Sequence, residues 1–388
     1  MRVPLTSRPV LLFVVAALVT WALAWALLGA ETQLEVLALF CVTVAVAVVA
    51  AKMKLDAPVA AAASSHPRAL GIACVVGVLA LAVVFHEDHF PLLLLCSVLL
   101  YITACLGLNI QFGYVGIVNF AGAAFFGIGS YTAAMLAGHT GLPHVLVLLL
   151  GGAMASLISC VLLLPVLRTR GHYAALVTIA FATLFRSFLE VNDALGGPQG
   201  MRIPALNLFG WDLGADHEWG ELFISFYDNY VLFALALAVL AFVLVRRLER
   251  SWMGVAMDAV RTDEISAKVY GISIARQKIV AFMFGNLLVG IAGATYGMMT
   301  GYVAPNNFTF ADSLILVSML LLGGLGNPWG IVPAAALILI LPEKLQFIQE
   351  YRFLLYGVVI ILILLFRSQG LLPRGIRRYF PNREAARG

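Results

Sequence analysis

Phe90-Pro-Leu-Leu-Leu-Leu-Cys-Ser-Val-Leu-Leu-Tyr-Ile-Thr-Ala-Cys-Leu-Gly-Leu108 is a run without one charged side chain. Wound as an α-helix at about 1.5 Å per residue, it is close to the roughly 30 Å of a bilayer's hydrocarbon core. Lipid offers nothing to a peptide N–H or C=O, so such a run crosses only as a helix or as part of a closed barrel. Working outward, similar runs recur near residues 10–29, 34–51, 70–86, 115–137, 144–165, 172–191, 229–245, 278–299, 312–325, 329–342 and 352–366. They are too long and too uniformly apolar for barrel strands. The 388 residues are 62% hydrophobic and 11% charged, with a mean hydropathy of +0.99, whereas a soluble domain is about one quarter charged. The expected fold is all-α: a polytopic membrane helical bundle of about 10–12 transmembrane segments, several of them short or broken by Gly and Pro.

Charge gives the orientation. If the N-terminus is inside and each run crosses once, 20 of the 24 lysines and arginines fall on the inner side, as the positive-inside rule requires. Arg2, Arg8, Lys52, Lys54, Arg68, Arg168, Arg170, the stretch 246–278 and the C-terminal tail hold them. Acids such as Glu31, Glu35, Glu87, Asp88, Asp193, Asp212 and Asp216 fall outside. Both termini are then cytoplasmic. The net charge of +4 is a topology signal and gives no support to nucleic-acid binding. The first run follows Arg2 and Arg8, yet it is long and lacks a clean small-residue cleavage site, so it reads as a retained helix.

Four places depart from plain spanning helices. Residues 109–138 mix glycines with polar side chains at membrane depth, where unwound backbone must be buried by protein or line a watery cavity. Asn109, Gln111, Asn119 and Tyr131 there are candidates to approach a translocation pathway; otherwise Asn109 and Gln111 sit in a short turn, and Gly129, Ala133 and Ala137 form a packing face. Gly293, Gly297 and Gly301 make a second small-residue ladder, read as helix-on-helix packing. Arg186 lies deep in an apolar run and needs a partner, for which Glu190 is one turn away; the alternative is a cavity-facing cation. Residues 192–230 are too polar to span and too aromatic for a slack linker. They read as a turn at Gly196, Gly197, Pro198 and Gly200, followed by an interfacial amphipathic piece.

Between two spans lies a charged island, residues 250–278. Trp252, Val255, Ala256, Ala259 and Val260 recur at helical spacing. Thr262 is then placed to cap a second helix with Asp263 and Glu264 in its first turn, Lys268 near its end and Gly271 as terminator. Glu264 and Lys268 pair at i, i+4, while Ile265 and Val269 form a small apolar stripe that something must cover. The bland alternative is an ordinary solvated loop.

No G-x-x-x-x-G-K-[ST] or G-x-S-x-G pattern occurs, so the chain is not expected to hydrolyse ATP, and no catalytic residue is assigned. Cys41, Cys74, Cys96, Cys105 and Cys160 lie in apolar runs without C-x-x-C spacing, and the seven histidines form no ligand motif, so neither metal nor cofactor is expected.

The order of motifs resembles the branched-chain amino acid ABC importer permeases of the LivM type. The resemblance rests on Leu106-Gly-Leu-Asn109, Ala123-Ala-Phe-Phe-Gly-Ile-Gly-Ser-Tyr-Thr-Ala-Ala134, Arg168-Thr-Arg-Gly-His-Tyr-Ala-Ala-Leu-Val-Thr178 and Gly196-Gly-Pro-Gln-Gly200. It continues through Ala259-Val-Arg-Thr-Asp-Glu-Ile-Ser-Ala-Lys-Val-Tyr-Gly-Ile272, Leu322-Gly-Gly-Leu-Gly-Asn-Pro-Trp-Gly330 and Phe366-Arg-Ser-Gln-Gly-Leu-Leu372. It implies a type II-like importer permease in the bacterial inner membrane, surrounded by lipid, that moves branched-chain or related apolar amino acids inward. It implies as partners a homologous second permease, two ATP-binding subunits and a periplasmic amino-acid-binding protein. Ala259, Arg261, Asp263, Glu264, Ile265, Lys268 and Gly271 would form the coupling helix against one ATPase. Gly197, Gln199, Arg202 and Trp211 would meet the binding protein, and Asn109, Gln111, Asn119, Tyr131, Thr178, Thr183 and Arg186 would border the pathway. The same resemblance divides the chain into an accessory helix pair and linker (1–69), a permease core (70–373, with a periplasmic segment at 192–228 and a coupling region at 246–278) and a basic tail (374–388). Gly116-Ile-Val-Asn-Phe-Ala-Gly122 and Thr183-Leu-Phe-Arg186 depart from the family pattern, which leaves other amino acids, short amides, urea or aromatic carboxylates as substrates. The rival reading is an ion-coupled secondary transporter of a small organic solute, which would need buried ionisable couplers in both halves.

Overall fold

The computed structural model describes residues 8–30, 32–52, 67–168, 172–208, 210–219 and 222–345, with positions 351, 354, 357, 358, 361, 370–372 and 374 near the C-terminus. Most of the expected 352–366 span, the 375–388 portion of the tail, the whole 53–66 linker and Arg170 lie outside the described residues. The described helices are α1 (Arg8–Gly29), α2 (Gln33–Lys52), α3 (Pro67–Val84), α4 (His89–Asn109), α5 (Gly122–His139), α6 (His144–Arg168), α7 (His172–Val191), α8 (Phe226–Arg250), α9 (Trp252–Thr262), α10 (Glu264–Val269), α11 (Ile274–Thr300), α12 (Phe310–Gly323) and α13 (Pro328–Lys344). Among them six are long and apolar enough to cross a membrane: His89–Val115, His144–Leu167, Tyr173–Val191, Phe226–Arg250, Ile274–Thr300 and Pro305–Gly323. The chain is a multi-pass, all-α membrane protein.

The centre is α11, packed against α4, α5 and α6. Glycine makes this possible. A Cβ on Gly129 would overlap the Gly290 carbonyl, one on Gly293 the Phe126 carbonyl, and one on Gly107 the Gly285 carbonyl. In lipid, where apolar side chains gain little from leaving their surroundings, such backbone-on-backbone approach is a main source of helix association. The ladder read through Gly301 stops short of it: Gly297 packs near Ser130 and Ile203, but Gly301 lies at φ +70° and ends α11. It terminates the helix through its backbone conformation.

The span expected over 115–137 is also revised. Helix α4 runs on as a π-helical turn, Ile110–Val115, and stops at Gly116 with φ +77°. Residues 116–121 are unwound, and α5 starts at Gly122. Side chains there take up the backbone donors a helix would use. Asn119 Oδ1 accepts from Ala121 N at 2.9 Å, Thr178 Oγ1 from Phe120 N at 3.0 Å, and Ser313 Oγ from Ala123 N at 3.0 Å. Local side-chain bonds of this kind compete with helix continuation.

The 192–230 segment is not one amphipathic piece. After turns at Gly196, Gly197 and Gly200, all at positive φ, it forms short antiparallel ribbons: Met201–Arg202 with Tyr302–Val303, Asn207–Leu208 with Trp211–Asp212, and His217–Trp219 with Leu222–Ile224. Pro204, Gly210 and Gly214 punctuate it too often for a helix. The layer is stitched to helix ends. The Tyr230 hydroxyl donates to Met298 O at 3.0 Å and accepts from Leu206 N at 2.8 Å, and Ile203 N donates to Gly301 O at 3.0 Å. At that same end Lys344, closing α13, donates to the Leu28 and Ala30 carbonyls at 2.6 and 3.0 Å. A lysine is suited to the carbonyls that a helix C-terminus leaves unbonded.

Candidate functional site

The break between α4 and α5 gathers a buried amide cluster. Asn119 Nδ2 donates to Gln111 Oε1 at 2.7 Å, and Gln111 Nε2 donates to Asn286 Oδ1 on α11 at 3.0 Å. Asn119 Nδ2 also lies 3.5 Å from Asn286 Oδ1. Asn109 Oδ1 accepts from Gly326 N at 2.8 Å. All four amides are fully buried, which makes each bond matter: a buried donor left without an acceptor costs about 1–3 kcal/mol. Asn109 Nδ2, Asn286 Nδ2 and the Tyr131 hydroxyl have no hydrogen-bond partner among the described residues. Tyr131 stands edge-on to Phe308 at 6.0 Å. Thr178 is buried and bonded to Ala175 O at 2.8 Å, so of the named pathway residues Asn109, Gln111, Asn119, Tyr131 and Thr178 sit inside the chain.

Thr183 and Arg186 are elsewhere. Thr183 is exposed on α7 and bonds its own helix at Ile179 O, 3.1 Å away. Arg186 Nε meets Glu190 Oε1 at 2.8 Å, the pair expected at one-turn spacing, and Arg186 Nη2 reaches Asn306 Oδ1 at 3.1 Å. The cation thus ties α7 to the 305–307 turn. Asn286 is the residue the sequence reading missed; a lone amide inside the apolar run 278–299 was its signal.

The residues expected to couple to an ATPase occupy the opposite end from Lys344. Helix α10 is capped by Asp263, whose Oδ1 accepts from Ile265 N at 2.9 Å, rather than by Thr262, whose hydroxyl bonds back to Asp258 O at 2.8 Å within α9. The Ser266 hydroxyl, and after it the Ile265 and Ser266 backbone amides, hold the Asp263 carboxyl below its usual pKa. Glu264 bonds Lys278 at 2.7 Å instead of Lys268. The chain doubles back at Gly271, φ +78°, bringing the start of α11 within reach, and Lys268 is left exposed. Ile265, Val269 and Tyr270 are 78%, 80% and 83% exposed. Ala259 is half-buried, and Arg261 donates to the Gly113 carbonyl. Burial, then the nearby Arg374 charge, lowers the Arg261 pKa, and Asp258 opposes this.

In the outer layer, Gly197 is buried at φ +52°. The Gln199 carbonyl accepts from the Tyr302 hydroxyl. Arg202 is exposed opposite Tyr302, and Trp211 is half-buried opposite Leu208. These four share one end of the bundle, by the C-terminus of α11, whereas residues 259–271 lie by its N-terminus.

Residues 90–364 match the family described as "Branched-chain amino acid transport system / permease component". The chain is 35% identical over 289 residues to the high-affinity branched-chain amino acid transport system permease protein LivM of Escherichia coli (strain K12), covering 71% of this chain and 68% of that one. It is 26% identical over 338 residues to the probable LivM of Methanocaldococcus jannaschii, covering 74% and 94%. It is 24% identical over 292 residues to the LivH permease protein of Salmonella typhimurium, covering 71% and 91%. No solved structure matches. With the broken α4–α5 junction, the glycine-packed α11 and the family match falling on the same residues, the chain belongs to the branched-chain amino acid transport permease family.

Proposed function

We propose that this chain is one of two membrane subunits of an ATP-driven importer of branched-chain or related apolar amino acids in a bacterial inner membrane. Its second permease is of the LivH kind, two separate ATPases power it, and a periplasmic binding protein delivers the substrate. The observation that carries this reading is the exposed trio Ile265, Val269 and Tyr270 on a well-capped α10. A six-residue helix does not persist alone in water, and leaving three large apolar side chains in solvent forgoes their burial energy. An ATPase groove that receives them accounts for both. The two kinds of permease relative support a paired arrangement.

In this reading Thr183 and Arg186 border the pathway on the exposed face of α7, and Asn109, Gln111, Asn119, Tyr131 and Thr178 shape its inner wall. Their sparse polar groups beside Phe112, Phe120 and Phe310 suit a zwitterion with an apolar side chain. Gly197, Gln199, Arg202 and Trp211 face the binding protein. The permease binds no cofactor and hydrolyses nothing itself. The test is uptake by proteoliposomes holding this chain with its second permease, its ATPases and its binding protein. Labelled leucine should enter only with ATP inside the ATPase compartment. Uptake driven by an ion gradient without ATP would instead favour a secondary transporter, and preferential uptake of urea, a short amide or an aromatic carboxylate would revise the substrate.

A further inference from the structure

Helix α4 ends at a π-helical turn whose last carbonyls have no helical donor, as at every helix C-terminus. The donors come from far along the chain. Arg261 of α9 donates to the Gly113 carbonyl, and Arg374 Nη1 reaches the same oxygen at 3.4 Å. Arg374 also grips Asp258 of α9 with both arms of its guanidinium, at 2.7 and 2.8 Å. The Arg374 and Asp258 side chains are 18% and 19% exposed. Its guanidinium carbon lies 5.0 Å over the Tyr114 ring. The backbone beside it is fastened too: Leu371 N donates to Leu322 O at 2.7 Å, Leu372 N to Gly323 O at 3.2 Å, and Asn327 Nδ2 to Leu372 O at 3.0 Å.

Two guanidinium groups therefore meet at one carbonyl, and one carboxylate binds the second of them, leaving a positive surplus at the negative end of α4. Bidentate geometry fixes the direction of the Asp258–Arg374 contact, which a point charge would not. Gly113 leaves no slack, since a Cβ there would meet both Asn109 Oδ1 and the Gly326 backbone. The same π turn carries Gln111, the middle of the amide cluster. Hydrogen bonds from Arg261 and Arg374 to Gly113, the backbone of the π turn, and the side-chain bonds of Gln111 thus connect α9 to Asn119 and Asn286. π turns recur at functional sites.

We propose that Asp258, Arg261 and Arg374 are positioning residues that form a joint, transmitting displacement of α9 and α10 to the Gly113 carbonyl and so to the Asn109–Gln111 end of the buried amide cluster. This rests on the importer reading, because it is an ATPase that displaces α10. The joint gives the coupling region a hydrogen-bonded route to the α4–α5 break, and it gives Leu371, Leu372 and Arg374 a role in fastening the end of α12 and the turn before α13 to α9.

The test uses the full complex in proteoliposomes, with Arg374→Gln, Asp258→Asn, the double variant and Arg374→Lys, read as substrate taken up per ATP hydrolysed. Each single neutral variant is expected to keep hydrolysis and lose uptake per ATP by about fivefold or more, the range of ordinary site-to-site coupling. The double variant should fall no further than the worse single one, because both act at one joint. Arg374→Lys should lie between parent and Arg374→Gln. Equal falls in hydrolysis and uptake, which leave the ratio unchanged, indicate a merely structural pair and overturn the joint, as do losses that multiply in the double variant. Should a variant fail to assemble, amide exchange on the parent complex decides: Gly116 and Ile117, which both donate to the Gln111 carbonyl, should change protection when a non-hydrolysable ATP analogue binds. Unchanged protection there overturns the proposal. A parent complex without ATP-dependent uptake removes the importer reading and the joint together, whereas a coupled parent with equally coupled variants removes the joint alone.

Discussion

The amide cluster at the α4–α5 break and the charged pair of helices α9 and α10 treat water in opposite ways. The first holds Asn109, Gln111, Asn119 and Asn286 at zero exposure and links them to one another or to backbone. The second holds Ile265, Val269 and Tyr270 almost wholly in the open. Polar groups are inside where the chain closes on itself, and apolar groups are outside where it does not. A buried polar network restricts geometry because breaking its bonds, such as Asn119 to Gln111 and Gln111 to Asn286, would leave further donors unpaired out of water. An exposed apolar trio on a capped helix fixes nothing within the chain and is legible only as a surface that something else completes. Rigidity and incompleteness are thus separated in space, and the contacts at Gly113 join them.

The comparison breaks most visibly at the glycine seams behind the cluster. Gly129→Val should prevent normal folding or lower stability by about 3 kcal/mol or more, since its side chain must displace the Gly290 backbone rather than a side chain; yield of monodisperse protein in detergent and its thermal midpoint would register it. Next, Asn286→Leu removes the acceptor used by Gln111 and leaves that donor buried. A loss of about 1–3 kcal/mol is expected, and an unchanged thermal midpoint would mean the cluster does not brace the fold.

On α10 the pattern reverses. Ile265→Asp should alter stability of the isolated permease by no more than about 0.5 kcal/mol, as surface changes do. It should weaken ATPase association by about tenfold, which corresponds to about 1.4 kcal/mol; co-purification at graded ATPase concentrations measures this. The smallest effect concerns the Asp263 cap. Its folded-state pKa lies below the unfolded value, so the stability it adds is present above the unfolded pKa and lost as pH falls through the folded one. Protection of the Ile265 amide, measured relative to its intrinsic exchange rate, should therefore fall only in that acidic window, and Asp263→Ala should abolish the step. A step at higher pH would contradict the hydrogen-bonded cap.

Much of this was legible along the chain, for reasons particular residues make plain. The run 90–108 announces its helix because its composition admits no other backbone solution in lipid. The Arg186–Glu190 pair follows from one-turn spacing alone. Gly271 was readable as a stop because the charged helix needed one. The errors also have physical causes. Glu264 prefers Lys278 to Lys268 because the reversal at Gly271 brings α11 alongside, which spacing along one helix does not encode. Thr262 and Asp263 are both good caps, and only the backbone path chose between them. The sequence marked 109–138 as a departure from plain helix yet began a span at 115, because two of the groups that hold 116–121 open, Thr178 and Ser313, lie on other helices.

The sequence by itself determined that this is a helical, multi-pass membrane protein with a charged island between spans, since hydrophobic length, charge placement and caps act over a few neighbouring residues. Tertiary structure alone decided that Asn286 completes an amide cluster with Gln111 and Asn119, that Gly129 meets Gly290, and that Arg374 reaches Asp258 and Gly113. Those contacts join residues more than a hundred positions apart, and their energies exist only once helices pack closely enough for backbone and side chain to share hydrogen bonds out of water.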